Sequence, residues 1–306
     1  MKNFSGLFGL CFLFIGCAND DPGDVIFSSD VVAVTGTRYS ASNNEFSETY
    51  SAFVNAVNQN LDIAILAEVD HAANAIATGR VLNATNTVFF THPVLEAPLL
   101  QENLLAGLDL PHKMMFFQNE NSEVFVVYNS ASYLSSRYNL EQTGNLEAFA
   151  TLMENLANAA TTAEVRSSAD ATVNSEEGII TTESIQSFSE TYNSLRSAVS
   201  SNENLDIVAQ VDHQATAATE NVEIPPSALI IFSYPELEAQ LIQSSQTVAL
   251  DLPQKILVWQ DEDEVVHISY NDPDYLIQRH LLPGNSEELQ QIVEILENLT
   301  SVAAGN

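Results

Sequence analysis

The hexapeptide Ala67-Glu68-Val69-Asp70-His71-Ala72 returns as Ala209-Gln210-Val211-Asp212-His213-Gln214, 142 residues later. In both places an apolar run ends at an acid and an imidazole, then gives way to an alanine-rich stretch. Working outward, a shift of 142 residues matches 36 of the 95 positions from Phe46 to Leu140 without a gap. Average composition would give roughly one match in seventeen, so the chain is a tandem duplication. Before Phe46 the register is expected to slip, because the polar loop after a strand at Val31–Val34 reads longer than the loop after its counterpart, Ile179–Thr182.

The periodicities place the elements. Phe46, Tyr50, Phe53 and Val57, and in the second copy Phe188, Tyr192, Leu195 and Val199, fall at helical spacing. Ser187 and Glu190 make a capping box. Strands follow at Ile63–Val69 and Leu205–Val211, then short helical turns after the Asp-His pairs. Thr87–Phe90 and Leu229–Phe232 are apolar enough for buried strands, stopped by Pro93 and Pro235. Helices carry Leu95, Leu99 and Leu100, and Leu237, Leu241 and Ile242. Lys113–Phe117 with Val124–Tyr128, and their twins, read as β-hairpins. Closing helices carry single apolar stripes through Leu146, Phe149, Met153 and Leu156, and through Leu289, Ile292, Leu296 and Leu299. Each copy is thus an α+β unit of order β-α-β-β-α-β-β-α, a mostly antiparallel sheet with helices on one face. The expected boundaries are a signal peptide at 1–17, a polar tether at 18–29, a first domain at 30–160, a linker at 161–177 and a second domain at 178–306.

Lys2 and the apolar stretch Phe4–Gly16 have the form of a targeting segment too short to span a bilayer. Phe14-Ile15-Gly16-Cys17 resembles the lipobox of bacterial lipoproteins, with Phe14 where Leu is usual. That resemblance implies lipidation of Cys17 and an envelope protein anchored at the outer membrane or cell surface. Cys11 and Cys17 are the only cysteines, so no disulfide or thiol chemistry is expected in the mature chain. With 41 Asp and Glu against 9 Lys and Arg, the formal charge is −32. Such a surface repels phosphate backbones, which argues against nucleic acid as a partner.

The second copy resembles the bacterial and archaeal family known as domain of unknown function 302. The residues that carry the resemblance are Val211-Asp212-His213, Pro235, Leu250-Asp251-Leu252-Pro253-Gln254-Lys255, Val258-Trp259, Tyr270-Asn271-Asp272-Pro273, Tyr275-Leu276 and Arg279-His280. Copy one keeps Asp70-His71, Pro93, Leu108-Asp109-Leu110-Pro111, Lys113, Tyr128-Asn129, Tyr133-Leu134 and Arg137. It has Phe117 for the Trp and Tyr138 for the final His. The resemblance implies a sheet of the TATA-binding-protein type and domains that pair, here within one chain. It implies no activity. The glycine-containing turn common in the family after the proline is missing after Pro93 and Pro235.

Candidate chemistry centres on repeated ionisable residues. Asp70 and Asp212 stand where an N-cap would accept the orphan N–H groups of a helical turn. Asp109 and Asp251 can pair with Lys113 and Lys255 four residues on, as surface bridges contributing under about 1 kcal/mol. Arg137 and Arg279 would pin a helical turn to the sheet. The functional alternative groups His71, Lys113 and Tyr128, and His213, Lys255 and Tyr270, around two clefts able to bind a small anionic ligand. No cofactor or metal is expected, since the histidines show no i,i+4 pairing and no cysteine partners. Glycine-rich phosphate loops and a Gly-x-Ser-x-Gly elbow are missing as well. Three readings follow: a ligand-binding or interaction module, an enzyme using His and Lys as acid-base groups, and a scaffold without ligand.

Overall fold

The computed structural model describes residues 34–141, 143–168, 172–282 and 287–306. The signal peptide, Cys17 and the tether lie outside these. Repeat one runs β1 (Thr37–Ala41), α1 (Phe46–Gln59), β2 (Ala64–Asp70), α2 (His71–Ala77), β3 (Thr85–Thr91), α3 (Pro93–Glu102), a 3-10 helix (Leu104–Leu108), β4 (His112–Gln118), β5 (Val124–Asn129), α4 (Ala131–Tyr138) and α5 (Thr143–Thr161). A two-residue strand β6 (Arg166–Ser167) follows. Repeat two runs β7 (Ile179–Ser184), α6 (Phe188–Ser201), β8 (Asp206–Asp212), α7 (His213–Thr219), β9 (Ser227–Ser233), α8 (Pro235–Ser244), a 3-10 helix (Gln246–Leu250), β10 (Gln254–Gln260), β11 (Val266–Asn271), α9 (Pro273–His280) and α10 (Glu287–Ala304).

All strand pairings are antiparallel, in the orders β2-β3-β4-β5-β1-β6 and β7-β11-β10-β9-β8. The α+β reading of two like units holds, with three differences. The first strand is Thr37–Ala41, and Val34 lies outside it. Thr37 pairs with Asn129 and Ile179 with Asn271, so the 142-residue register persists through β1 and no loop insertion precedes α1. Matching hydroxyl pairs, Ser42 with Thr49 at 2.6 Å and Ser184 with Thr191 at 2.7 Å, fix both strand-to-helix corners. The third difference is in the linker, which contributes β6 to the edge of the first sheet instead of running free.

Alternation along the strands sets two faces. On one face Val88, Phe90, Phe116 and Val126 meet Phe53 and Val57 of α1 and Phe149 and Met153 of α5, all buried. The opposite face of the central strands meets the other repeat. Each 3-10 helix rests on the other copy's sheet, Leu104–Leu108 on β9 and β10 and Gln246–Leu250 on β3 and β4, while α3 packs on α7 and α2 on α8. Asp70 and Asp212 accept hydrogen bonds from the N–H groups of Ala73 and Ala215 at 2.9 and 2.8 Å, each at the start of a seven-residue helix. Ser187 and Glu190 form the full capping box, whereas α1 starts after Glu45 with no side-chain cap.

Gly36 and Gly178 precede β1 and β7 at φ +76° and +64°. A Cβ at either position would fall inside the ring of Tyr133 or Tyr275 respectively. Gly79 shares the positive φ, at +80°, but has open space around it. Urea denaturation of Gly79→Ala should therefore show a loss of about 1 kcal/mol from backbone conformation alone. Gly178→Ala should lose clearly more, about 2–4 kcal/mol, by adding overpacking against Tyr275. Equal losses would show that the tyrosine does not constrain the turn.

Candidate functional site

The repeated charges do not line clefts. They converge in the dry interior where the two repeats meet. Lys113 and Lys255 project from β4 and β10 on the face turned toward the other copy, and each is 3% exposed. The Lys113 ammonium donates to Asp251 at 2.8 Å and to its own repeat's Asp109 at 3.1 Å. Lys255 reaches across to Asp109 at 3.2 Å. The expected pairing four residues apart is thus present for Lys113, but the bridges are buried and cross between repeats.

Two arginines complete the arrangement in matched pairs. Arg137, fully buried on α4, donates to Asp109 at 3.0 Å, to Asn271 Oδ1 at 2.9 Å and to the carbonyls of Glu177 and Gly178. Arg279 on α9 donates to Asp251 and to Asn129 Oδ1, both at 2.6 Å, and to the carbonyl of Thr35. Each guanidinium also stacks on a tyrosine of the other copy, Arg137 4.9 Å from the Tyr275 ring centre and Arg279 4.2 Å from that of Tyr133. The two tyrosine hydroxyls meet at 3.3 Å. The copies differ at the last ligand of each carboxylate: the Tyr138 hydroxyl donates to Asp109 and the His280 imidazole bonds Asp251, both at 2.8 Å.

Four cations therefore face two carboxylates. Burial alone would raise the Asp109 and Asp251 pKa values, but the lysines and arginines around them hold both well below the ordinary range. Burial works against a charged lysine too. Lys113, bridging both carboxylates, stays raised, while burial and the neighbouring Lys113 charge push Lys255 down to about 7. The downward shift falls on Lys255, the lysine with one carboxylate contact instead of two.

The histidines sit in the same interface. His71 Nε2 lies 3.2 Å from the Thr87 hydroxyl, which in turn donates to the carbonyl of Ala249 in the other repeat at 2.8 Å. In the second copy Leu229 replaces the threonine, and His213 Nε2 reaches the carbonyl of Gly107 directly at 3.3 Å. A Cβ on Gly107 would come within 3.0 Å of that imidazole. Burial pushes His71 down to about 3 and His213 to about 4, so both are neutral. Tyr128 and Tyr270 are placed elsewhere. Val127 pairs with Met115 and Tyr270 with Ile256, so the two tyrosines share the sides of Met114 and Ile256 and not those of Lys113 and Lys255. Both tyrosines therefore point to the helix-covered face, opposite the lysines. The grouping of His, Lys and Tyr around one cleft is corrected on this ground.

Two buried acids escaped the sequence reading. Glu96 and Glu238 take hydrogen bonds from the Thr91 and Ser233 hydroxyls and from the N–H groups of His92 and Tyr234. Burial pushes both up to about 7. His112 and His71 lie 3.6 and 3.8 Å from them, beyond hydrogen-bond range. The repeated Pro93-x-x-Glu96 and Pro235-x-x-Glu238 was the available signal. An open groove of about 810 Å³ runs between α6 and α10, lined in part by Glu203, Tyr234, Glu294 and Asn298, and no member of the charge cluster lines it. Among the described residues no group of His, Cys, Asp and Glu could hold a metal, and no helix is long and apolar enough to cross a membrane.

The profile of the family described as "Domain of unknown function DUF302" matches residues 39–161 and again 180–300. The chain belongs to the DUF302 family. The first match runs from inside β1 to the end of α5 and the second from inside β7 into α10, so the buried cluster joins two DUF302 domains. The curated relatives it matches include the "Fluoride-specific ion channel FluC 1" of Brucella suis and of Brucella abortus, each 34% identical over 132 residues, or 43% of this chain. The match covers 52% and 48% of those two proteins, so the chain spans about half the length of these relatives. A crystal structure of an uncharacterized conserved DUF302 protein from Bacillus stearothermophilus aligns at 17% identity and a TM-score of 0.38, covering 42% of this chain and 98% of that one.

Removing Lys113 leaves two buried carboxylates short of a partner, whereas Lys255 touches one carboxylate and its charge is disfavoured by burial and by Lys113. Lys113→Met should cost about 3–5 kcal/mol in urea unfolding and Lys255→Met distinctly less. Equal costs would contradict the asymmetry. The histidines set a pH dependence. Between about 4 and 6.5 the unfolded chain protonates His213 and the folded one does not, so stability from this group rises with pH across that window and is lost toward acid. Glu96 and Glu238, raised to about 7, act oppositely between 4.5 and 7. The stability-versus-pH slope of His213→Gln, measured by denaturant titration from pH 4 to 6.5, should therefore be lower than that of the parent by up to about 1.4 kcal/mol per pH unit. An unchanged slope would place His213 in contact with solvent.

Proposed function

We propose that this protein is a non-catalytic interaction module, tethered to the bacterial envelope by a lipid on Cys17. The observation that carries the reading is the fate of the positive charge. Four of the chain's nine Lys and Arg residues, Lys113, Lys255, Arg137 and Arg279, are buried against two carboxylates and each other's repeats. Acid-base or nucleophilic catalysis needs a group within reach of substrate, and these side chains face protein on every side. The lowered pKa of Lys255 has a structural cause, the crowding of like charge, and does not by itself mark a reactive amine.

Envelope tethering rests on the lipobox-like Phe14-Ile15-Gly16-Cys17 after an apolar stretch. The relatives named as fluoride channels support a place at a membrane for a module of this family. Their activity belongs to proteins of about twice the matched length, so the proposal takes from them the domain and not the conduction.

Apart from Lys2, Lys113 and Lys255 are the only lysines, which gives a clean test. An amine-acylating reagent applied to the native mature protein, with peptide mass mapping, should leave both unmodified and label both after denaturation. Fast labelling of Lys255 in the native state would expose a reachable, activated amine and favour the enzyme reading. For the anchor, Cys17→Ser should shift the protein from the membrane fraction to the soluble one. Retention in the membrane fraction would reject the lipid.

A further inference from the structure

The two sheets differ at one edge. In repeat one the outer edge of β1 is covered by β6, with Arg166 across from Tyr39 and Ser167 across from Arg38. The Ser168 N–H donates to the Thr37 carbonyl at 3.0 Å and its hydroxyl closes a second bond to the same strand. In repeat two β7 is the edge strand, and among the described residues no strand pairs with its outer side. The shared register makes Ile179, Thr181 and Glu183 the twins of Thr37, Tyr39 and Ala41. Because Thr37 and Tyr39 turn their backbone groups toward β6, Thr181 and Glu183 turn theirs outward. Both residues are exposed, and Ile185, just past the strand, is 80% exposed. Unpaired N–H and C=O groups in a row are a template for another strand.

We propose that the outer edge of β7 is a docking site for an extended segment of another polypeptide, which adds antiparallel as a sixth strand and carries a Lys or Arg across from Glu183. The β6 strand of the same chain supplies the geometry. Continuing its register by two residues sets Glu164 across from Ala41, and in repeat two the facing residue becomes Glu183. An acid there would meet like charge, while a cation gains a cross-strand pair. The formal charge of −32 works in the same direction and disfavours a second copy of this chain as the occupant. The inference rests on the interaction-module reading and gives it a surface. Its test scores strand pairing alone, so it can fail while the tether and the unreactive lysines stand, and the reverse.

The probe is a capped synthetic peptide of residues 163–168 carrying Glu164→Lys, compared with the unaltered sequence. Amide hydrogen exchange of the mature protein should slow by at least about tenfold at Thr181 and Glu183 when the lysine peptide is added. The unaltered peptide should bind about three- to fivefold more weakly at low salt, and Glu183→Lys should reverse that order. Thr181→Pro, tolerated at an edge where the N–H faces outward, should abolish protection at Glu183 and lower the melting temperature only by what the lost Thr181–Ser269 hydroxyl contact contributes. Since a free hexapeptide loses much freedom on binding, the strand 164–168 with Glu164→Lys is also fused directly after Asn306, which stands where Ala163 stands in repeat one. Gly305, at positive φ like its counterpart Thr162, would deliver it along β7. The fusion should raise the melting temperature and protect the same amides. Neither peptide nor fusion slowing exchange at Thr181 and Glu183 would overturn the proposal. So would a concentration-dependent dimer of the unmodified protein that Thr181→Pro dissolves, which would assign the edge to a second copy.

Discussion

The bond between the Lys113 ammonium and the Asp251 carboxylate, 2.8 Å long and shut away from water, is the contact on which the architecture turns. An ion pair in such a place contributes little net stability compared with a well-packed apolar pair, because each charge must first be stripped of water. Its effect is on specificity. Once the apolar faces of the two sheets come together, any arrangement that leaves Asp109 or Asp251 unpaired is heavily penalised. The charges select one relative placement out of the many that greasy surfaces would allow. The tyrosines stacked under the guanidiniums and the asparagines that accept from them fill the remaining donor sites with partners from the opposite repeat.

Seen this way, the family pattern describes an interface more than a pocket. The Asp-Leu-Pro-x-Lys stretch, the Asn that ends the hairpin and the Arg of the following helix are separate in sequence, yet in each copy they meet at the same seam. At the seam the copies diverge in the lysines, of which Lys113 spans both carboxylates and Lys255 touches one, and in second partners. Tyr138 stands for His280 on the carboxylates, and a Thr87 hydroxyl relays what His213 does directly. On the outward part of the sheet the change is larger: buried Phe117 and Phe125 become partly exposed Trp259 and His267, stacked at 4.4 Å.

Local features were legible in the sequence because local physics sets them. Helical stripes, the proline stops after β3 and β9, the capping box at Ser187 and the hairpins all read correctly. Cap geometry was legible at Asp70 and Asp212 for the same reason. The cluster was only half legible. Lys113 and Asp109 are four residues apart and invite pairing, but Asp251 lies 138 residues away from Lys113, and nothing along the chain names it. Alternation puts Tyr128 and Asn129 on opposite faces, but which of them shares the face of Lys113 is set by the β4–β5 register, with Met115 across from Val127. Strand β6 had no signal, since two residues carry no period, and its order comes from Ser168 clasping Thr37.

The seam also has a direction in time. Repeat one leaves the ribosome first, with Asp109, Lys113 and Arg137 on a face that has no cover. Its carboxylate can hold its own lysine and arginine, but Asn271 and the second carboxylate are synthesised well over a hundred residues later. Until then the ions must stay hydrated and the apolar strands around them wet. The nascent first repeat is therefore a sticky, half-finished surface whose natural partner is still being made, and the only thing that guarantees the right partner is that the two are joined by a short piece of the same chain.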